Sequence, residues 1–333
     1  MYKPPFEIND KIINLSIEIT KKITNLETEN IKKKILLRKA SKIKSVNSTC
    51  AIEQNTLSEN DVIAVIDKKF VIAPRKEILE IENAFLMYEK IDEFNPYSVV
   101  SFLSAHKILT KGLVRESGIF RSGDVAVYDN DKVIHLGARP EFVSNLVEEL
   151  FDWLKNSELN PLIKSAIVHF ELEIIHPFSD GNGRIGRFWQ ALILYKYNRI
   201  FEYVPIETLI YSHQQIYYNT IALCSKSGTS TLFIEFMLEM ILKTINNVNT
   251  NDTINKMYFK GLTKTEKEIS LVLVKYFENN ETINVEEAID LLGKNKDNVR
   301  KYFLSLVKKN ILIPSGATKV RVYYLNIEVL NKD

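Results

Sequence analysis

Apolar residues recur at helical spacing through the first part of the chain, with Ile13, Leu15, Ile17, Ile19 and Ile23 marking the start of a run that extends to about residue 44. No glycine occurs before position 112 and prolines are sparse, which argues for packed helices over sheet and turns. From Pro161 to Ile175 the residues Leu162, Ile163, Ala166, Ile167, Phe170 and Ile174 share one face. This pattern predicts a core helix that starts at a proline and delivers His176 at its C-terminal end. A glycine-rich turn follows, and a second helix is expected from about Arg184 to Tyr197. Between Val125 and His135, alternating residues surround Asp-Asn-Asp, the pattern of a short hairpin and the only strand signal before the C-terminal region.

The stretch from Ile245 to Asn255 is rich in asparagine, has little to bury and reads as a linker. Beyond it the pattern gives a helix over Lys264–Phe277, a short helix capped by Asn284 and stopped at Gly293, and a longer helix over Asp297–Asn310. Strand-like runs at 311–313 and 320–324 flank a turn expected at Pro314-Ser-Gly-Ala317. Three helices and a hairpin make winged-helix order. The predicted class is therefore mainly α, with a β-hairpin in the helical part and a C-terminal winged helix-turn-helix domain. The expected boundaries are a helical region over 1–94, a catalytic core over 95–248, a linker over 249–261 and the winged helix over 262–333.

Composition narrows the function classes. The 44 basic and 42 acidic residues leave a formal charge of +2, so any attraction to nucleic acid must come from a local patch. Two cysteines give no disulfide framework. With no signal-like start and no run of eighteen apolar residues, a cytoplasmic protein without membrane partners is expected.

The chemistry concentrates in His176-Pro-Phe-Ser-Asp-Gly-Asn-Gly-Arg-Ile-Gly-Arg187. A histidine before proline at a helix end is ordinarily a cap or core residue, and Asp-Gly-Asn-Gly alone is ordinarily a turn. Together with two arginines they make a different object. A glycine loop opening a helix gathers unpaired N–H groups at the positive end of the helix dipole, which suits an anion. Gly181 and Gly183 admit phosphate closely, Asn182 adds a side-chain donor, and Arg184 and Arg187 share a helix face. Asp180 is placed to hold Mg2+ or Mn2+ that bridges phosphates. His176 is the nearby group suited to remove a proton at neutral pH.

This run resembles the Fic family motif at every fixed position, and the resemblance extends to Gly118-Ile-Phe-Arg121, His169-Phe-Glu, Tyr217-Tyr218 and Phe233-Ile-Glu-Phe236, covering about residues 1–245. It implies a helical Fic core with ATP as substrate, bound through Gly181, Asn182, Gly183, Arg184, Ile185, Gly186 and Arg187, with Tyr217 and Tyr218 near the adenine. It also implies that the hairpin is a flap aligning a target segment by strand addition, with Val125, Val127, Val133 and His135 as docking positions. Glycine at 183 resembles the AMP-transferring branch. The expected reaction moves AMP to a Tyr, Thr or Ser hydroxyl of a protein, the chain itself included; UMP or phosphocholine transfer is the runner-up, and the reverse removal of AMP is a further expectation. The family's habit of assembly implies a homodimer.

Ser48-Thr-Cys-Ala-Ile-Glu-Gln-Asn-Thr-Leu57 resembles the inhibitory motif of class II members. Thr49 and Glu53 lie four apart, and Glu53 is expected to pair with Arg187 and so deny it to the γ-phosphate. Gln54 departs from the Gly or Asn of the family pattern. The basic run at 31–44, with seven Lys or Arg and no acid, reads as a solvated helix face. Lys296, Arg300 and Lys301 on the third C-terminal helix are candidate DNA contacts, and a protein partner there is an equal alternative. The competing view of the whole chain is a DNA-binding regulator with an accessory nucleotide-binding domain.

Overall fold

The structure is a computed structural model that describes residues 2–28, 35–129, 132–246, 261–277, 280–316 and 321–326. The chain divides into two compact units, one of residues 1–29 with 41–248 and one of residues 30–40 with 249–333.

The larger unit is built on helices α1 (Asp10–Thr28), α2 (Ile35–Ile52, from residue 41 onward in this unit), α3 (Glu59–Ile66), α4 (Arg75–Glu89), α5 (Val99–Leu109), α6 (Pro140–Asn156), α7 (Pro161–Ile175), α8 (Asn182–Tyr197), α9 (Ile206–Ser212), α10 (Gln214–Ser227) and α11 (Thr231–Asn246). Strands β1 (Ala126–Asp129) and β2 (Lys132–Leu136) form an antiparallel hairpin between α5 and α6, with a register shift between Val127 and Tyr128. The expected tip at Asn130 and Asp131 lies outside the described residues, as do the side chains of Val127, Val133 and His135. In α1 the buried stripe is Ile12, Ser16, Ile19 and Ile23, whereas Ile13 and Ile17 are about half exposed. The helical period was legible, but its phase was not: a row of isoleucines on both faces leaves packing to choose the inner one.

Helices α7 and α8 pack against each other at the centre. Helix α7 begins as its sequence dictates. Asn160 accepts from Leu162 N at 2.9 Å, Pro161 fills the first turn where no N–H is needed, and twelve of the fifteen residues are buried. Its C-cap is His176, in the left-handed region at φ 52° and ψ 62°. Helix α8 starts two residues before the expected Arg184, because Asn182 already closes the preceding turn. Around this pair sits an aromatic core of Phe102, Phe151, Phe178, Phe188 and Trp189, with Trp189 edge-on to Phe102 at 5.0 Å between centroids. Burying Phe178 completely contributes roughly 1.5–3 kcal/mol and anchors the loop that follows His176.

Of the basic run expected as a solvated face, Lys32, Lys33 and Lys34 lie outside the described residues, and the described part is not wholly exposed. Lys39 is buried, and Lys42 pairs with Glu89 and lies over the Phe85 ring. Among the described residues no helix is long and apolar enough to cross a membrane.

The smaller unit contains α12 (Lys264–Phe277), β3 (Ile283–Asn284), α13 (Val285–Leu292), α14 (Lys296–Lys308), β4 (Leu312–Ser315) and β5 (Val322–Leu325), with sheet order β3-β5-β4. Asn284 caps α13 through a capping box with Glu287, and Gly293 ends it in the left-handed region. Pro314, expected in the turn, stands in β4. That is an edge strand of the sheet, where a missing N–H costs no ladder bond. The two-residue strand β3 is too short to leave a pattern in the sequence. Ile269, Leu273, Ile283, Val299, Phe303, Leu306 and Tyr323 form the core, with Phe303 edge-on to Tyr323 at 4.7 Å.

Candidate active site

His176 leaves the end of α7 half-buried, with Nδ1 at 3.3 Å from the Glu173 carbonyl. A carbonyl only accepts, so that contact puts the ring proton on Nδ1 and makes Nε2 the basic nitrogen of the ring. The loop from Pro177 to Gly181 then turns into α8. Asn182 does not present its amide to an anion, as the sequence suggested. Its Oδ1 accepts from Phe178 N at 2.9 Å and its Nδ2 donates to Phe178 O at 2.8 Å, so both ends close the loop.

His106 was not singled out by sequence and is central here. Its ring stacks on Phe178 with centroids 3.5 Å apart and planes within 5°. Nδ1 accepts from Gly118 N at 3.0 Å, and Nε2 then donates to the Asp180 carbonyl at 3.0 Å. Burial holds its pKa down to about 4, so the ring is neutral at physiological pH, as this donor and acceptor pattern requires.

Both arginines of α8 are buried. Arg187 donates from Nε to Thr49 Oγ1 at 2.9 Å, and from Nη2 to Thr49 O at 3.2 Å and Glu53 Oε1 at 2.6 Å. Burial works against its positive charge, and Glu53, together with Tyr217, Tyr218 and Glu173, more than offsets that, leaving its pKa raised. The expected contact between the 48–57 segment and the motif is therefore formed. Thr49 sits in the last turn of α2, and Glu53 lies just past its end. Gln54 adopts φ 67°, the conformation for which Gly or Asn is the usual residue, at a cost of about 1–2 kcal/mol. Gly183 faces this pair closely: a Cβ there would collide with Glu53 Oε1 and stand 3.0 Å from Arg187 Nη1.

Arg184 Nη1 lies 3.4 Å from Glu80 Oε1 as an ion pair and Nη2 3.5 Å from Asp180 Oδ1, and neither the buried Nε nor Nη1 makes a hydrogen bond. Such orphaned donors suit an incoming anion, because an unmet buried donor is costly. Glu80 also accepts from Asn55 Nδ2 at 2.9 Å, so the turn carrying Glu53 touches the surroundings of both arginines. Asp180 accepts from Gly181 N at 2.6 Å through Oδ1, and its side chain remains 47% exposed. Among the described residues no three His, Cys, Asp or Glu side chains gather to hold a metal ion. A single half-exposed carboxylate fits a cation that keeps most of its waters and takes its remaining ligands from phosphate.

Other expected contacts are redistributed. Ile185 is fully buried, and Gly186 packs against His169 and Glu173 of α7, so both serve helix packing. Tyr217 is 1% exposed, its hydroxyl 3.0 Å from His169 Nε2 and 3.4 Å from Glu173 Oε1, which makes it a core aromatic and not an open platform for a base. Tyr218 remains 38% exposed beside the end of α2, its hydroxyl 3.4 Å from Ile52 O, where Gln214 Nε2 also donates at 2.8 Å.

Several known proteins resemble this chain in sequence or fold. The Fic/DOC family matches residues 96–194. Protein adenylyltransferase fic-1 of Caenorhabditis elegans is 31% identical over 179 residues, which is 49% of this chain and 34% of that protein. A probable protein adenylyltransferase of Aquifex aeolicus is 29% identical over 183 residues, 52% of this chain and 54% of its own. The chain thus spans about a third of the length of the first curated relatives it matches. A crystallised fragment of fic-1 shares the fold at a TM-score of 0.55 and 19% identity, covering 72% of this chain and 70% of the fragment. A Fic family protein from Desulfovibrio desulfuricans superposes with a TM-score of 0.72 at 30% identity and covers 97% of this chain and 98% of its own. A likeness that runs the length of both chains, added to the match across the histidine and arginine segment itself, makes this chain a member of the Fic/DOC family.

Proposed function

We propose that the chain is a protein adenylyltransferase that moves AMP from ATP to a Tyr, Thr or Ser hydroxyl of a protein, and that it rests in an inhibited state. The observation that carries the reading is His176, with Nδ1 toward the Glu173 carbonyl, beside a helix N-terminus that holds two buried arginines. In the reaction, Nε2 takes the hydroxyl proton, the hydroxyl oxygen bonds to the α-phosphorus, and the bond to the bridging oxygen breaks to release pyrophosphate. Arg184 and Arg187 offset the phosphate charge. Asp180 would hold Mg2+ or Mn2+, which neutralises phosphate charge when bound. The adenylyltransferase names of the curated relatives support the reaction class.

Inhibition follows from the Arg187 contacts. While Glu53 and Thr49 occupy this guanidinium, it is not free to bind a terminal phosphate. A hundredfold suppression needs about 2.7 kcal/mol of preference for the closed pair. Incubating wild type, His176→Ala and Glu53→Gly with a panel of nucleotides, and measuring intact masses, tests the reading. AMP adducts are expected in Glu53→Gly well above wild type and absent in His176→Ala; identical masses in all three would end it. UMP or phosphocholine transfer would appear in the same panel, and loss of AMP from a modified chain would report the reverse reaction.

A second activity is favoured by one observation in the smaller unit. Lys296, Arg300, Lys301 and Lys308 are exposed along α14, with Asp297 as the single acid among its first four residues, and such a basic helix face suits a DNA major groove.

A further inference from the structure

We propose that Arg121 is a positioning residue for the base: it holds His176 in its left-handed conformation and fixes both ends of the hairpin to it. The inference rests on the reading of His176 as the base.

Arg121 is 3% exposed, and the acceptors of its guanidinium are backbone carbonyls drawn from three segments. Nε donates to His176 O at 2.7 Å and Nη1 to Gly123 O at 2.7 Å. Nη2 donates to Ala138 O and, at 3.4 Å, to Ile175 O. The backbone N–H of Arg121 adds a bond to Pro177 O at 3.0 Å. Gly123 enters the hairpin and Ala138 leaves it, while Ile175 and His176 end α7. One planar group therefore sets the spacing between flap entry, flap exit and base.

Each part of this arrangement has a physical reason. The last carbonyls of a helix lack intrahelical donors and carry the negative end of the dipole, so a cation is favoured there. Burial pulls the Arg121 pKa down and the nearby Asp124 carboxylate opposes that, while the carbonyls satisfy its buried donors. A histidine at φ 52° is in a region that costs a residue with a Cβ about 1–2 kcal/mol, and it persists only when neighbours hold it. The clamp does so from one side, and the bond from His176 N to Leu172 O at 3.0 Å from the other. Gly137 completes the fit: a Cβ there would stand 2.9 Å from Arg121 Nη2 and 3.2 Å from the His176 Cβ. Lysine, with three donors at one point, cannot reach three segments together.

A residue that only caps α7 would affect folding alone, so the test needs readouts that folding does not move. It uses the full chain carrying Glu53→Gly, with Arg121→Lys, Arg121→Gln and Gly137→Ala added singly; the last shifts the guanidinium without removing its charge. Automodification by labelled ATP is followed at saturating and limiting ATP, with thermal melting alongside. The proposal expects the saturating rate to fall roughly 10- to 100-fold, as for misplacement of a catalytic group by about 1 Å, while KM for ATP moves less than about twofold. It also expects NMR of the imidazole nitrogens to show His176 protonated on Nδ1 in the parent and in mixed tautomers in Arg121→Gln. An unchanged saturating rate with an unchanged tautomer would overturn it, as would a rate loss that merely tracks melting. If the parent shows no labelling that depends on His176, the transferase reading fails, and the tautomer measurement still decides the role of Arg121.

Discussion

Gly183 shows how much a single missing carbon decides. The sequence reading gave it to the phosphates, and the structure shows it also admitting the Glu53 carboxylate to Arg187. Gly183→Ala is therefore expected to loosen the closed pair and raise automodification several-fold in wild type, but to give no rise in the Glu53→Gly background; a rise of equal size in both would show that the methyl group acts on the nucleotide instead. His106 makes a prediction about pH. Its folded pKa of about 4 lies below the unfolded value of about 6.5, so the unfolded chain binds the extra proton between them. The stability it confers is complete above about pH 6.5 and is lost as pH falls toward about 4. His106→Asn keeps a donor and an acceptor without titrating, so its urea midpoint should fall less than that of wild type over this range. At this scale the motif was legible because its residues adjoin. Asn182 and Tyr217 were misplaced, His106 was unsuspected and Arg121 was noted without a role, because their partners lie far along the chain or on the backbone, which side-chain patterns do not report.

Among the elements, α2 carries Thr49 and leads directly to Glu53, the two partners of Arg187, and three serines fasten it. Ser41 donates to Tyr203 O at 3.1 Å, Ser45 to Glu207 Oε2 at 2.6 Å and Ser48 to Thr208 Oγ1 at 3.3 Å. Spaced four and three apart, they form one face against residues 203–208. Glu207 is 3% exposed, and Tyr88 donates to its other oxygen at 2.6 Å. Removing one donor from a buried carboxylate leaves it short of partners, so Ser45→Ala should lower stability by about 1–3 kcal/mol in urea unfolding. It should also raise automodification, since Glu53 is presented by the end of this helix. No change in either would mean that α2 is held elsewhere. Serines at helical spacing read in sequence as neutral surface. Helices α7, α12 and α13 were legible within a residue because their own caps and glycines set their ends.

At the level of the molecule, the exposed basic face of α14 belongs to a unit with its own core. Binding to duplex DNA should be measured by fluorescence anisotropy on the full chain, and affinity should fall as salt rises, because phosphate contacts release counterions. Lys296→Glu with Arg300→Glu should abolish it; no binding at low salt would leave α14 to a protein partner. The sequence by itself determined the mainly helical class, the hairpin, and the histidine, loop and arginines of residues 176–187, because these depend on local period, turn chemistry and adjacency. Tertiary structure alone decided which face of α1 is buried, that Asn182 closes a loop, that Tyr217 is core, that Arg121 bonds the His176 carbonyl and that His106 stacks on Phe178. Those outcomes depend on which distant groups meet, and no periodicity along one chain encodes that.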